Sequence, residues 1–317
     1  MTVERTNLIV KACYMYYIEN MTQAEIAKRL GVSRPQVSRF LTYARENNIV
    51  SITINDPSSS KNSLEETMCS LFGLKECLII DRVASNRQET MRIMGTESSD
   101  LIKRNTNDDD IIGVSAGKTL YYVSMTLQDP KKKNLRIVPV CGGTGYRGKE
   151  WQSNKIISNL DERWNCESYQ LNSPTFVSSE SLKDQLIEEH DIKNALELAR
   201  RCRLILVGIG LLENRSTLLE TEFLTEEDIA ELKQKKAVSS ICNSFLDQDG
   251  KEIPFSGYDR MIGYKIDAFD EDTKIIAYAF GEEKTDAIIS ALRSEKIYAL
   301  VTDILTAQSI IERCHQQ

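Results

Sequence analysis

Apolar positions in the first fifty residues recur at helical spacing. Between residues 6 and 19 the stripe is Leu8, Ile9, Ala12, Tyr16 and Tyr17, suited to packing beneath two further helices. Thr22 and Glu25 then make a T-x-x-E capping box, in which the hydroxyl accepts an N–H of the first turn and the carboxylate reaches back. A second helix therefore starts at Gln23, presents Ala24, Ile26, Ala27 and Leu30 to a core, and ends at Gly31, which supplies the left-handed residue of a tight turn. Ser33 caps a third helix, with Pro35 tolerated in its first turn and Val37, Phe40, Leu41 and Ala44 facing inward. From residue 49 the period changes to two, with Ile49, Val50, Ile52 and Ile54 separated by Ser51 and Thr53, which predicts a short strand of the kind found in a wing. Residues 55–62 are polar and Pro/Ser-rich and form the clearest domain boundary.

Beyond that boundary short apolar strands alternate with helices. The pattern predicts a helix over 63–74, a strand over 77–81 and a helix over 88–105, followed by an acidic turn and the run IIGVSAGKTLYYV. Strands follow at 135–140, 204–207, 274–279 and 298–301, with helices at 151–160, 284–292 and 306–311. Such alternation indicates parallel βαβ units, so the fold class is α/β: an N-terminal winged helix-turn-helix over 1–54, a linker over 55–62, and a doubly wound α/β domain over 63–317.

Composition narrows the function classes. With 317 residues, 41% hydrophobic and 27% charged, the chain reads as soluble and globular with more than one domain. No apolar run is long enough for a bilayer and no signal-peptide pattern opens the chain, so a cytoplasmic location without membrane partners is expected. Eight cysteines without a C-x-x-C pair, beside two histidines, speak against a zinc site, a redox motif or a disulfide framework; no metal and no cofactor are expected. A net charge of −7 argues against a nucleic-acid protein until its distribution is considered. Residues 21–46 hold five basic side chains (Lys28, Arg29, Arg34, Arg39, Arg45) against Glu25 and Glu46, a local +3 that leaves −10 on the remainder. Contacts with phosphate act locally, because charges beyond about 10 Å are screened at 0.1 M salt.

Two sets of residues carry candidate chemistry. Arg34, Gln36, Ser38 and Arg39 occupy the outer, N-terminal part of the third helix and can meet base edges and phosphates in a major groove; Thr22, Gln23, Ser33 and Arg45 complete the DNA-facing set. An ordinary pair of surface helices would share the capping box and glycine, but not both helices at this spacing with basic residues where the groove would lie. The second set is a group of strand-ending loops rich in glycine: 114–119 (VSAGKT), 141–145 (CGGTG), 208–210 (GIG) and 280–284 (FGEEK). Loops at the carboxyl ends of parallel strands are where ligands sit, and exposed backbone N–H groups with two lysines favour a phosphorylated or polyhydroxylated small molecule. None of them is a Walker loop or a G-x-G-x-x-G turn, which disfavours a nucleotide. Asp108–Asp110 reads as a solvated turn rather than a metal cluster, and Thr225 with Asp228 as a further capping box.

Taken together, the run from Thr22 to Ile54, IIGVSAGKTL, CGGTG, LVGIG, a degenerate AVSSICNSFLDQDG, IAYAFGEEKTDAI and LVTDILTA resemble, in this order and over nearly the whole chain, the SorC family of bacterial sugar-binding transcriptional regulators. The resemblance implies an effector domain like sugar-phosphate isomerases and deaminases, assembly as a dimer or tetramer, and operator DNA binding altered by a phosphorylated sugar. Carried over by motif, the implied effector contacts are Ser115, Gly117, Lys118, Thr119, Gly142, Gly143, Thr144, Asp247, Glu282 and Lys284, with lysines and backbone N–H groups on phosphate and Asp247 on hydroxyls. Two positions depart from the pattern. Cys141 stands where some relatives place a lysine able to form a Schiff base, and Phe280 where many have glycine. The expected function is a regulator, by the usual arrangement a repressor, of a carbohydrate-utilisation operon, with double-stranded operator DNA, a sugar phosphate and further copies of the chain as partners. The alternative is a sugar-phosphate isomerase or deaminase, disfavoured because the glycine loops hold neither a histidine nor a well-placed carboxylate pair.

Overall fold

The structure is a computed structural model that describes residues 3–46, 49–50, 57–83, 86–143, 151–212 and 224–316. It forms two compact units, residues 1–59 and 60–317. The first holds three helices, α1 (Val3–Tyr17), α2 (Gln23–Leu30) and α3 (Arg34–Glu46). Its core is Ile9, Ala12 and Cys13 of α1, Ile26 and Ala27 of α2, and Val37, Phe40, Leu41 and Ala44 of α3. Tyr16 and Ala24, both expected inside, are exposed: the buried stripe of α1 runs one position round, through Cys13, and α2 is too short to bury more than its central residues. The capping box forms, with the Thr22 N–H donating to Glu25 Oε2 at 2.8 Å and the Glu25 N–H to Thr22 Oγ1 at 3.4 Å. Gly31 ends α2 at φ 66°, which lets the Val32 N–H return to the Ala27 carbonyl at 3.0 Å. Of the strand expected from residue 49, Ile49 and Val50 form a bend, and residues 51–54 lie outside the described residues.

Helix α4 (Pro57–Phe72) begins six residues before the expected position, so residues 57–62 of the expected linker are helical. Proline at the first helical position sacrifices no intrahelical bond, and Leu64 and Met68 bring the helix onto the second unit's core.

The second unit is built on strands β1 (Glu76–Ile80), β2 (Ile111–Val114), β3 (Arg136–Pro139), β4 (Glu167–Ser168), β5 (Leu204–Leu211), β6 (Ser239–Ile241), β7 (Ser244–Leu246), β8 (Lys274–Tyr278) and β9 (Ala299–Asp303). Seven run in the order β1-β9-β8-β5-β2-β3-β4 with every neighbouring pair parallel, while β6 and β7 form an antiparallel hairpin on the far end of β5. Alternate strand residues face two cores, as a sheet covered on both faces requires. Ile80, Ile112, Val114, Leu204, Leu206, Ile276 and Tyr278 pack beneath α5 (Arg87–Glu97), α6 (Ser99–Asn105), α7 (Lys118–Ser124) and α8 (Ser153–Trp164). Ile79, Ile111, Val138, Ile205, Val207, Ile275 and Leu300 pack beneath α4, with α10 (His190–Arg200), α12 (Thr285–Arg293) and α13 (Ile304–His315). Helix α9 (Glu180–Ile187) precedes α10, and α11 (Glu226–Gln234) starts at the Thr225–Asp228 capping box.

The single helix expected over 88–105 is two, parted at Ser98, whose hydroxyl meets the buried Tyr278 hydroxyl at 2.9 Å. From β2 the chain steps outward through β3 to β4. It then returns to the other side of β2 with β5 and continues through β8 and β9. The order reverses between β2 and β5, the position at which a doubly wound sheet opens a crevice beyond its carboxyl ends.

Candidate functional site

In the N-terminal unit, Ser33, Arg34, Gln36, Ser38 and Arg39 are all exposed on the first turns of α3, while Val37 and Phe40 between them anchor the helix. Two of the exposed side chains are tied to one another: Gln36 Oε1 accepts from the Ser33 N–H at 2.9 Å and from its hydroxyl at 3.0 Å. Those bonds leave the Gln36 amide nitrogen as the atom able to meet a base edge. Arg39 Nε lies 3.4 Å from the Pro35 carbonyl, so its guanidinium follows the helix surface. Thr22, Gln23 and Arg34, distant in the sequence pattern, come together with Tyr16, Tyr17 and Asn20 around a groove of about 860 Å³ at the N-terminus of α2. Arg45 is within α3, but its side chain lies outside the described residues.

In the second unit three of the glycine-rich segments begin at or just after the ends of β8, β2 and β3, whereas 208–210, expected as a loop, lies inside β5, where Gly208 pairs with Tyr278 of β8 and Gly210 with Ser240 of β6. Ser115, buried, extends β2 through its N–H to the Leu206 carbonyl at 3.0 Å. Gly117 donates to the Trp151 carbonyl at 3.0 Å, and the exposed Lys118 places its ammonium 5.6 Å from the centre of the Trp151 ring. Thr119 is buried in the first turn of α7. Lys284 enters from the β8 side and donates to the Ile209 carbonyl at 2.9 Å. Burial, with Arg87 nearby and only Glu283 opposing, lowers its pKa to about 8. Lys118 and Lys284 therefore follow strands on the two sides of the switch point, one exposed and one desolvated.

Three expectations require correction. Gly142 and Gly143 were expected to offer N–H groups to an anion, but these donate to the Ile262 and Ser173 carbonyls at 3.1 and 2.7 Å. The pair is needed for close backbone approach, since a Cβ on Gly142 would meet the Pro174 carbonyl oxygen at 2.5 Å. Asp247 is engaged in its own turn. Its Oδ1 accepts the N–H groups of Asp249 and Lys251 at 2.9 and 3.0 Å, and its carbonyl accepts from Ser290 at 2.6 Å, in the latter half of α12. Lys284 precedes the first turn of that helix, and six residues of helix separate the two by about 9 Å. Glu282 is at the crevice edge but is already paired with Arg82 at 3.0 Å. Thr144 lies outside the described residues.

Cys141 is a buried thiol whose pKa is pushed up to about 11, chiefly by burial. It is chemically quiet where a Schiff-base lysine would stand. Among the described residues no cluster of metal-ligating side chains occurs, and no helix is long and apolar enough to cross a membrane. Arg82 and the hairpin turn at Asn243, which packs against Gly263, belong to the same end of the sheet, and neither carries a signal in the sequence pattern.

Comparison with known proteins accounts for both units. Residues 56–312 match the family described as "Putative sugar-binding domain", and residues 4–47 match "Sigma-70, region 4". The deoxyribonucleoside regulator of Bacillus subtilis (strain 168) is 26% identical over 308 residues, 97% of this chain and 98% of its own. The sorbitol operon regulator of Klebsiella pneumoniae is 28% identical over 307 residues, 96% and 98% of the two chains. The crystal structure of the full-length sorbitol operon regulator SorC from Klebsiella pneumoniae superposes with a TM-score of 0.74 at 26% identity, covering 98% of this chain and 99% of that one.

Proposed function

This chain belongs to the SorC family of sugar-binding transcriptional regulators, and we propose that it controls a carbohydrate-utilisation operon through a phosphorylated sugar bound at the switch-point crevice. The observation that carries the reading is the placement of Lys118 and Lys284 just beyond the carboxyl ends of β2 and β8, one on each side of the reversal in strand order. A phosphate dianion there would give the desolvated Lys284 ammonium a charged acceptor in addition to the Ile209 carbonyl. Arg34, Ser38 and Arg39, with the free end of Gln36, form the DNA-reading face, and Thr22 and Gln23 meet the phosphate backbone beside Arg34. A local charge of +3 on an acidic chain binds weakly as one copy, so a homodimer or homotetramer spanning two half-sites is the reading form. The ligand acts by shifting the population competent to bind DNA, and release of a repressor is the sign we propose.

The test is fluorescence anisotropy of the purified full chain with DNA from upstream of its own gene, at low salt, with and without a panel of sugar phosphates. Affinity is expected to change at least fivefold with one member of the panel. Absence of DNA binding under every condition overturns the regulatory reading. Turnover of ribose or glucosamine phosphate by clean protein would replace it with the isomerase or deaminase alternative.

A further inference from the structure

The loop that carries Lys284 is held by a residue outside every motif in the chain. Arg82 stands two positions after β1, and its guanidinium, with a side chain 18% exposed, spreads across three acceptors, on β9, α13 and the loop after β8. Nε donates to Asp303 Oδ2 at 3.1 Å, Nη1 to Glu282 Oε2 at 3.0 Å and Nη2 to Thr306 Oγ1 at 3.2 Å. Asp303 is fully buried and caps α13 by accepting the Thr306 N–H at 2.9 Å. Thr306 Oγ1 also accepts the Gly281 N–H at 2.7 Å, and the Lys284 N–H closes the turn onto the Gly281 carbonyl at 2.8 Å. Gly281 can take part because its φ of 110° admits no ordinary side chain, and the Glu283 carboxylate lies within 2.7 Å of where a Cβ would stand. A second cation backs the first: Arg87 donates to Glu283 Oε1 at 2.7 Å and lies 4.7 Å above the Phe280 ring. One planar fork therefore grips the base of the loop, Asp303 and Thr306, together with the loop itself at Glu282. No lysine can reproduce this geometry with a single ammonium.

We infer that Arg82 is the positioning residue of the crevice, clasping Glu282 against Asp303 and Thr306 so that the 281–284 loop keeps the Lys284 ammonium against Ile209. The inference rests on the reading of the crevice as the effector site, but it makes a claim about Lys284 that needs no effector to test.

The measurement is the pH profile of acetylation of each lysine by acetic anhydride in the intact full chain, resolved by mass spectrometry of its peptides. In the wild-type protein the Lys284 profile has its midpoint near the lowered value of about 8. Arg82→Gln frees the loop, solvates the ammonium and moves the midpoint toward the ordinary value of about 10.4, so the reactive neutral fraction at pH 8 drops on the order of a hundredfold. Arg82→Lys restores part of the shift. Glu282→Ala leaves Asp303 paired and keeps the test open if Arg82→Gln does not fold. It also separates positioning from charge. Removing a carboxylate by itself lowers a neighbouring lysine's midpoint, whereas releasing the loop raises it. A Lys284 midpoint that stays near 8 in folded Arg82→Gln, or that falls in Glu282→Ala, overturns the inference. Protection of Lys284 by D-ribose 5-phosphate and related sugar phosphates is read in the same experiment. Its absence across the panel counts against the effector reading, while the midpoints decide the role of Arg82.

Discussion

The proposed reading face of α3 and the crevice of the α/β unit differ in how far apart in the chain their parts lie. The face is made by residues 33–39, with Thr22 and Gln23 added by a helix that ends three residues before it. The crevice draws on the ends of β2, β3, β5 and β8, residues about 170 positions apart at the extremes, and on a clasp from the end of β1. Side chains on the face stand in solvent and are tied down only by their own neighbours, as Gln36 is by Ser33. The crevice side chains are held by long-range partners, and their chemistry follows from that burial. A site assembled from distant strands can give a lysine a pKa of about 8.

The strongest way to break this contrast is Lys284→Met. It is expected to abolish the stabilisation by sugar phosphate, which for saturating ligand at about 100 times its dissociation constant is roughly 2.7 kcal/mol in a thermal-shift measurement. The same substitution should raise the melting temperature of the ligand-free protein. The sign follows from the lowered pKa: between about pH 8 and 10.4 the unfolded chain holds a proton that folded Lys284 has lost, so stability rises with pH through that window, and below it the desolvation penalty is present in full. Affinity for the phosphorylated ligand should correspondingly weaken above about pH 8, by up to about tenfold per unit, in titration calorimetry. A Lys284→Met protein that still responds to the wild-type's ligand would remove the crevice from the mechanism.

On the reading face, Arg34→Ala and Arg39→Ala are each expected to cost about 1–3 kcal/mol of operator affinity. An arginine that touches only phosphate should lower the salt slope by about one and weaken all sequences alike, whereas one that reads a base should relax the preference at one position. Anisotropy at several salt concentrations on operator and scrambled DNA distinguishes them. If neither substitution matters, the locally built face is not the reader.

The smallest expected effect sharpens the comparison from the other side. Asp247→Ala should leave sugar-phosphate affinity unchanged while destabilising the fold by about 1–2 kcal/mol, because its carboxylate holds two backbone N–H groups of its own turn. A thermal melt with and without ligand reads both. Loss of ligand response without loss of stability would place Asp247 in the crevice.

Much of the architecture was legible in advance because it is encoded by short-range pattern. The capping box at Thr22, the turn at Gly31 and the inward residues of α3 depend on neighbours three or four positions away. The buried strands β1, β2, β3, β5, β8 and β9 announce themselves as apolar runs, since both of their faces are covered. What escaped was amphipathic or irregular: α9 and α10, the two-residue β4 and the β6–β7 hairpin, whose turn at Cys242 and Asn243 takes positive φ at both residues without the usual glycine.

By itself the sequence determined the two-unit α/β plan, the exposure of Arg34, Ser38 and Arg39, and the placing of glycines and lysines at the ends of strands, all consequences of periodicity and local geometry. Only the tertiary structure decided which of those groups are free to act. It occupied the N–H groups of Gly142 and Gly143, carried Asp247 to the far half of α12, paired Glu282 with Arg82 and desolvated Lys284. Hydrogen-bond partners and dielectric surroundings are set by residues tens to hundreds of positions away, and no local pattern in the chain carries that information.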